Sequence, residues 1–357
     1  MEGVGRTASH KIVWSFRRVR NVHLFGIGLL GFIAILIAVL FIYTEVQVHR
    51  INRAAPPIGE FMDVAGIRLH YVDIAADDPD APVLVFIHGA SSNLRDPLLA
   101  FRPGLMRRYR LIFIDRPGHG YSSRGSGDMW DPAAQAGVIH GLLANLGVEH
   151  AVIVGHSFGA AVAAAYAVAF KPETAGLVLI APATHPWPGG VAWYYSVAMW
   201  PVIGPIFTHT LVMPVGEWLM PDAVRSVFGD TPIPPNYISG GGIALVLRPA
   251  QFRANAEDVW NFNASLTRMA PHYREITAPT VIIAGGQDTV VSNEIHAEEL
   301  ERDIAGARFV VLPRSGHAPQ FSAPDEVLDL IREVAETARR RGFAALTPSP
   351  SVLATRS

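Results

Sequence analysis

A serine sits between two glycines in Gly155-His156-Ser157-Phe158-Gly159. The pentapeptide follows an apolar run, Ala151-Val152-Ile153-Val154, and leads into an Ala-rich stretch from Ala160 to Phe170. The expectation is strand, sharp turn and helix, with the hydroxyl at the apex of a turn too tight for side chains at 155 and 159. Amides at the start of the helix would then face negative charge developing beside that hydroxyl. A Ser hydroxyl is a poor nucleophile at neutral pH, so chemistry here needs a base to take its proton and a carboxylate to orient the base. The bland reading is a surface or capping Ser, and the surrounding elements decide between the two.

Those elements are legible. Val83 to Ile87 is a β-branched and apolar run ending in His88-Gly89-Ala90, which reads as a buried strand opening into a tight loop. Pro279 to Ala284 is another, ending in Gly285-Gly286-Gln287-Asp288. Ala307 to Leu312 is a third, followed by Arg314-Ser315-Gly316-His317. Ser157, Asp288 and His317 therefore each follow the C-terminal end of a strand, in the chain order Ser, Asp, His. His317 is the candidate base, and later the acid that protonates the leaving group. Asp288 is the candidate orienting carboxylate. Asp303 and Asp325 lie nearby, but neither directly follows an apolar strand. Most of the 14 His carry no such context.

With Asp115-Arg116-Pro117-Gly118-His119-Gly120-Tyr121-Ser122, these segments resemble the α/β-hydrolase superfamily in its lid-bearing branch, over about residues 58–341. The resemblance implies an α/β fold, a mostly parallel sheet flanked by helices with a helical lid inserted. It also implies an oxyanion hole made by the backbone N–H groups of Phe158 and Ala90. His88 then shapes the loop, and His156 packs or bonds locally. Epoxide hydrolases and dehalogenases resemble the chain but place Asp at the elbow, whereas a Ser hydroxyl makes an acyl-enzyme. The substrate should carry an acyl carbon. The first reading is a carboxylic ester hydrolase for a small-molecule, lipid-like substrate. A carbon–carbon bond hydrolase or perhydrolase with the same triad is the second, and an inactive ligand- or partner-binding fold-mate the third. No cofactor or metal is expected: the His residues are dispersed, and Gly240-Gly241-Gly242 lacks the flanks of a phosphate loop.

Val22 to Tyr43 runs 22 residues without an acidic, Lys or Arg side chain. About 20 apolar residues at 1.5 Å each cross a hydrocarbon core of roughly 30 Å. A signal h-region runs only about 7–15 residues and ends at a small-residue cleavage site, whereas this run leads into Tyr43-Thr44-Glu45-Val46. A transmembrane anchor is expected. Arg6, Lys11, Arg17, Arg18 and Arg20 precede it against Glu2, so the positive-inside rule keeps the N-terminus cytoplasmic and the catalytic domain on the far side. Zero cysteines exclude disulfides and suit either compartment. With net charge −2 and no basic cluster beyond the membrane flank, nucleic acid is not an expected partner.

The resulting map is a basic N-terminus at 1–21, a transmembrane helix at 22–43, a stalk at 44–57, the hydrolase domain at 58–341 and a flexible tail at 342–357. Glu60 to Ile74 reads as a strand pair turning at Ala65-Gly66, and Asp325 to Arg341 as the last covering helix. Nearly a hundred residues separate Leu177–Ile180 from Pro279, too many for a loop, and this is where a lid at about 183–262 is expected. Five of the seven Trp fall there: Trp187, Trp193, Trp200, Trp218 and Trp260. The ordinary reading packs them onto the core; the sharper one makes part of the lid an acyl pocket or a surface dipping into the bilayer. A second membrane crossing is opposed by Pro201, Pro205 and Pro214. Arg248, Arg253, Asn255 and Asp258 are spaced for a polar network fixing the lid's end, with a substrate carboxylate as the alternative partner of one Arg.

Overall fold

A computed structural model of the chain describes residues 7–342, with side chains from Phe25 onward. The tail from 343 and the first six residues of the basic N-terminus lie outside the described residues. Helix α1 runs Thr7–Ala54 without interruption. From Phe25 to Tyr43 its apolar side chains are almost all exposed, so it is not a core helix. It is long and apolar enough to cross a membrane.

The expected stalk at 44–57 is corrected. Residues 44–54 continue α1, and Thr44, Ile51 and Ala55 are buried. A helix that ends with Ile51 and Ala55 at helical spacing has an apolar stripe to bury, and here it does so against Val212, Met213, Leu245 and Leu247.

The domain is built on eight strands: β1 Glu60–Val64, β2 Ile67–Ile74, β3 Val83–Ile87, β4 Arg110–Ile114, β5 Ala151–His156, β6 Thr174–Ile180, β7 Thr280–Gly285 and β8 Arg308–Leu312. Their order is β1-β2-β4-β3-β5-β6-β7-β8; β1–β2 and β2–β4 are antiparallel and every other pair is parallel. Ala65 and Gly66 both take positive φ, 49° and 79°, as a two-residue hairpin turn between β1 and β2 requires. Strands β3, β5, β6 and β7 are buried along nearly their whole length, which explains their unbroken apolar runs rather than alternation.

Helices cover both faces. Helices α2 Arg95–Leu105, α3 Pro132–Asn145 and α4 Phe158–Ala169 precede β6. Five more form the insertion between β6 and β7: α5 Trp193–Met199, α6 Ile203–Thr210, α7 Val212–Phe228, α8 Tyr237–Gly240 and α9 Pro249–Met269. Helix α9 carries the insertion past the expected limit at 262, because Phe262 and Leu266 are buried in the main core. After β7 come α10 Asn293–Asp303, α11 Pro319–Ser322 and α12 Pro324–Arg340. The packing expected of the insertion's Trp is also corrected. Trp187 packs on the main core, whereas Trp193, Trp200, Trp218 and Trp260 are each at least half exposed.

Candidate active site

Ser157 sits between β5 and α4 with φ 53° and ψ −120°, a backbone conformation that L-residues rarely adopt. The flanking glycines are there because the turn is crowded. A Cβ at 155 would lie 2.4 Å from the carbonyl oxygen of Gly159, and one at 159 would lie 2.3 Å from that of Ile87. The Ser157 N–H is tied to the Ile180 carbonyl at the end of β6, 2.9 Å away. The hydroxyl is thereby held above the C-terminal edge of the sheet.

Ser157 Oγ lies 2.9 Å from His317 Nε2, and His317 Nδ1 lies 2.8 Å from Asp288 Oδ2. The carboxylate accepts from Nδ1–H, which leaves Nε2 as the acceptor of the Ser hydroxyl. Asp288 Oδ1 accepts from the amides of Val290 and Val291 at 2.8 and 3.1 Å. Burial pushes the Asp288 carboxyl up, but the His317 bond and those two amides outweigh it and hold it below its ordinary value. The loop carrying Asp288 is laced to the loop carrying His317, with Gln287 N–H donating to Ser315 at 2.9 Å. The competing carboxylates are elsewhere: Asp303 pairs with His185, 3.2 Å away, and Asp325 is exposed in the first turn of α12.

Phe158 opens α4, so its N–H belongs to the first helical turn, where amides have no partner within the helix. Ala90 lines the same cavity as Ser157. The loop before it is held from behind by Arg116, which is fully buried. Arg116 donates to the carbonyls of His88 and Gly89, each at 3.0 Å, and stacks over Phe158. Since the peptide is trans, the Ala90 N–H points to the side opposite Arg116. His88 donates to Gly89 O and accepts from Arg116 N–H. Burial and the neighbouring Arg116 hold its pKa well below the ordinary value. It shapes the loop as a neutral ring.

Arg116 is neutralised by Asp258 of α9 at 2.7 Å, with His119 also on that carboxylate at 2.9 Å. Burial raises the Asp258 carboxyl, but Arg124, His119 and Arg116 together pull it far below the usual range. Asn255 accepts from Ser91 N–H at 2.6 Å and donates to Ser91 Oγ at 3.0 Å. Arg248 reaches the Gly120 carbonyl and Asn52 of α1. Three of the four polar residues expected to fix the insertion therefore do so, and Arg253 is exposed.

Above the hydroxyl lies a cavity of about 650 Å³ whose walls are mostly apolar, with Trp193, Tyr194, Phe207, Leu219 and Phe252 among them. None of its lining residues is Arg or Lys. Sequence reasoning missed its one carboxylate, Asp96 at the start of α2. Asp96 is 3% exposed, accepts from Ser92 Oγ at 3.1 Å and has no partner on Oδ1. Burial pushes its carboxyl up to about 6. A lone Asp in a short polar loop carries no signal for this placement. Among the described residues no cluster of His, Asp and Glu is set to hold a metal ion.

A family model described as the alpha/beta hydrolase family matches residues 84–330. A dihydrolipoyllysine-residue acetyltransferase component of the acetoin cleaving system, from Cupriavidus necator, is 36% identical over 124 residues. That match covers 34% of this chain and only 32% of the relative. A 2-hydroxy-6-oxo-6-phenylhexa-2,4-dienoate hydrolase of Comamonas testosteroni is 24% identical over 76% of this chain and 93% of its own. The crystal structure of an enol-lactonase from Burkholderia xenovorans superposes with TM-score 0.63 at 20% identity, covering 78% of this chain and all of that one.

Proposed function

The chain belongs to the α/β-hydrolase family, and within it we propose a membrane-anchored serine hydrolase that cleaves a carboxylic ester with an apolar part. The carrying observation is the relay Ser157–His317–Asp288 at 2.9 and 2.8 Å, beneath a cavity with no Arg or Lys. As Ser157 Oγ attacks the acyl carbon, its proton passes to His317 Nε2. The carbonyl electron pair moves onto oxygen and is met by the N–H groups of Phe158 and Ala90. Collapse breaks the ester C–O bond, and the alcohol leaves with the proton from His317. Water then attacks the acyl-enzyme, giving its proton to Nε2, and the acid departs as that proton returns to Ser157. Asp288 keeps Nδ1–H in place and stabilises the imidazolium.

A carbon–carbon hydrolase is the second reading, favoured by the dienoate hydrolase likeness. A dienoate substrate carries a carboxylate, and a cavity without Arg or Lys offers no cation to receive it. The ester reading therefore stands first. An inactive binder would have no use for three groups aligned at hydrogen-bond distance.

For localisation, the exposed apolar face of Phe25–Tyr43 and the basic flank before it support a single-pass anchor with the catalytic domain on the far side. The burial of Thr44, Ile51 and Ala55 favours a retained helix over a cleaved leader.

A fluorophosphonate probe should label wild type and leave Ser157→Ala unlabelled. A panel of p-nitrophenyl esters of rising chain length, set beside a vinylogous diketone, should show turnover of the esters. Cleavage of the diketone alone would transfer the assignment to the second reading. A reporter fused at residue 357 that works only in the cytoplasm would overturn the orientation.

A further inference from the structure

The anchor and the insertion meet inside the span rather than beneath it. From Phe25 to Tyr43 helix α1 is about 28 Å long, close to the hydrocarbon thickness of a bilayer, and among its described side chains Thr44 is the first that is buried. Yet Phe41, within that exposed stretch, stacks on His209 of α6 with ring centroids 5.9 Å apart. The Tyr43 hydroxyl donates to Glu217 of α7 at 2.5 Å. Helices α6 and α7 therefore stand at the depth of the last turn of the spanning segment.

Their outward surface suits that depth. Between Trp193 and Leu219 the only His, Asp, Glu, Lys or Arg residues are His209 and Glu217, and both are engaged by α1. Within that stretch nothing charged remains to face outward; the exposed pair Asp222 and Arg225 comes only in the later turns of α7. Instead Trp218 is 77% exposed, Val202 73% and Trp200 50%. An apolar patch of this kind continuous with a membrane helix has a cover already on the page, the bilayer that surrounds the helix. Tryptophan at such a border is what the polar–apolar boundary of a membrane favours.

The same helices wall the cavity. Trp193, Leu211, Val215 and Leu219 line it and are also 69%, 45%, 45% and 43% exposed. A side chain that touches both the cavity and the outside stands at the mouth, so the cavity opens on the apolar patch.

We propose that the end of α1, helices α5 and α6 and the first half of α7, to Leu219, form one bilayer-embedded unit, and that a long-chain lipid ester enters the cavity directly from the surrounding leaflet. This rests on the esterase reading above and names its substrate class and route. An ester that stays in the leaflet avoids the cost of carrying its apolar chain through water.

The test uses the full chain in phosphatidylcholine vesicles. Tryptophan fluorescence should be quenched by brominated phosphatidylcholine, and part of that quenching should vanish in Trp218→Phe. Val202→Lys with Trp218→Lys should leave turnover of p-nitrophenyl butyrate within about twofold. Hydrolysis of a fluorogenic long-chain ester dissolved in the vesicles should fall tenfold or more. Ester turnover without quenching, or equal long-chain rates in the double variant, overturns the proposal. Quenching without hydrolysis of any ester keeps the embedding and overturns the esterase reading instead.

Discussion

His156 Nε2–H donates to the backbone carbonyl of His317 at 2.8 Å, so the residue before the nucleophile holds the residue that activates it. Burial, with His317 beside it, pushes the His156 pKa down to about 3, and the ring is neutral at any working pH. His317 is pinned at its own N–H as well, which donates to Val227 of α7 at 2.9 Å. The base is thus located by the elbow on one side and the insertion on the other.

Removing the His156 bond should therefore misplace His317. His156→Leu should lower kcat by roughly tenfold and stability by about 1–3 kcal/mol, the usual cost of an orphaned buried carbonyl. The pH–rate profile should keep its shape, and His156→Gln, which restores a donor, should recover most of the rate. A displaced profile would mean that His156 titrates in the cycle.

The choice of carboxylate is equally open to test. Asp288→Asn should keep the fold and lose on the order of ten-thousandfold in kcat, because the amide favours the wrong His317 tautomer. Asp303→Asn should lose little activity, since Asp303 reaches only His185. The reverse ranking, measured on p-nitrophenyl butyrate, would sink the assignment of Asp288.

Asp96 makes a prediction about stability. Its folded-state carboxyl stands near 6, above the ordinary value of 3.8, because burial penalises the charge. Between those values the folded state holds a proton that the unfolded chain has released, so this group's contribution falls as pH rises through the interval and is fully lost above about 6. Asp96→Asn cannot ionise and escapes that loss. Its stability relative to wild type should rise by on the order of 2–3 kcal/mol between pH 4 and pH 8. Thermal unfolding of both proteins at the two pH values measures it, and a pH-independent difference would refute it.

What the sequence revealed followed from local necessity. Glycines at 155 and 159 are dictated by backbone contacts within one turn and the next strand, and the buried strands announce themselves as unbroken apolar runs. The three loop residues Ser157, Asp288 and His317 could be picked because each follows such a run. Asp96 could not, since its meaning comes from a cavity most of whose walls begin at Trp193, 97 positions later. Asn255 reads from the sequence as part of a network, but its partner Ser91 lies 164 positions away. The fate of residues 44–54 was hidden for the same reason. Tyr43-Thr44-Glu45 reads as the polar end of an anchor until Glu217 comes round to Tyr43, and Val212 to the cluster that holds Ile51.

That docked segment carries the last prediction. Ile51 and Ala55 share a cluster with Val212, Met213, Leu245 and Leu247; Asn52 accepts from Arg248 at 2.9 Å, and the Ala55 carbonyl accepts from Tyr121 at 2.6 Å. A chain beginning at Thr44 keeps all of these contacts, whereas one beginning at Ile58 loses them. The shorter chain uncovers Val212 and Met213, forfeits about 2–3 kcal/mol for Ile51 alone and loses the hydrogen bonds from Arg248 and Tyr121 at about 0.5–1.5 kcal/mol each. It should melt roughly 10 °C below the chain beginning at Thr44, compared in the same mild detergent. Ile51→Ala in the longer chain should account for about a third of that difference. Equal melting temperatures for the two chains would show that residues 44–57 are the passive stalk their sequence suggests.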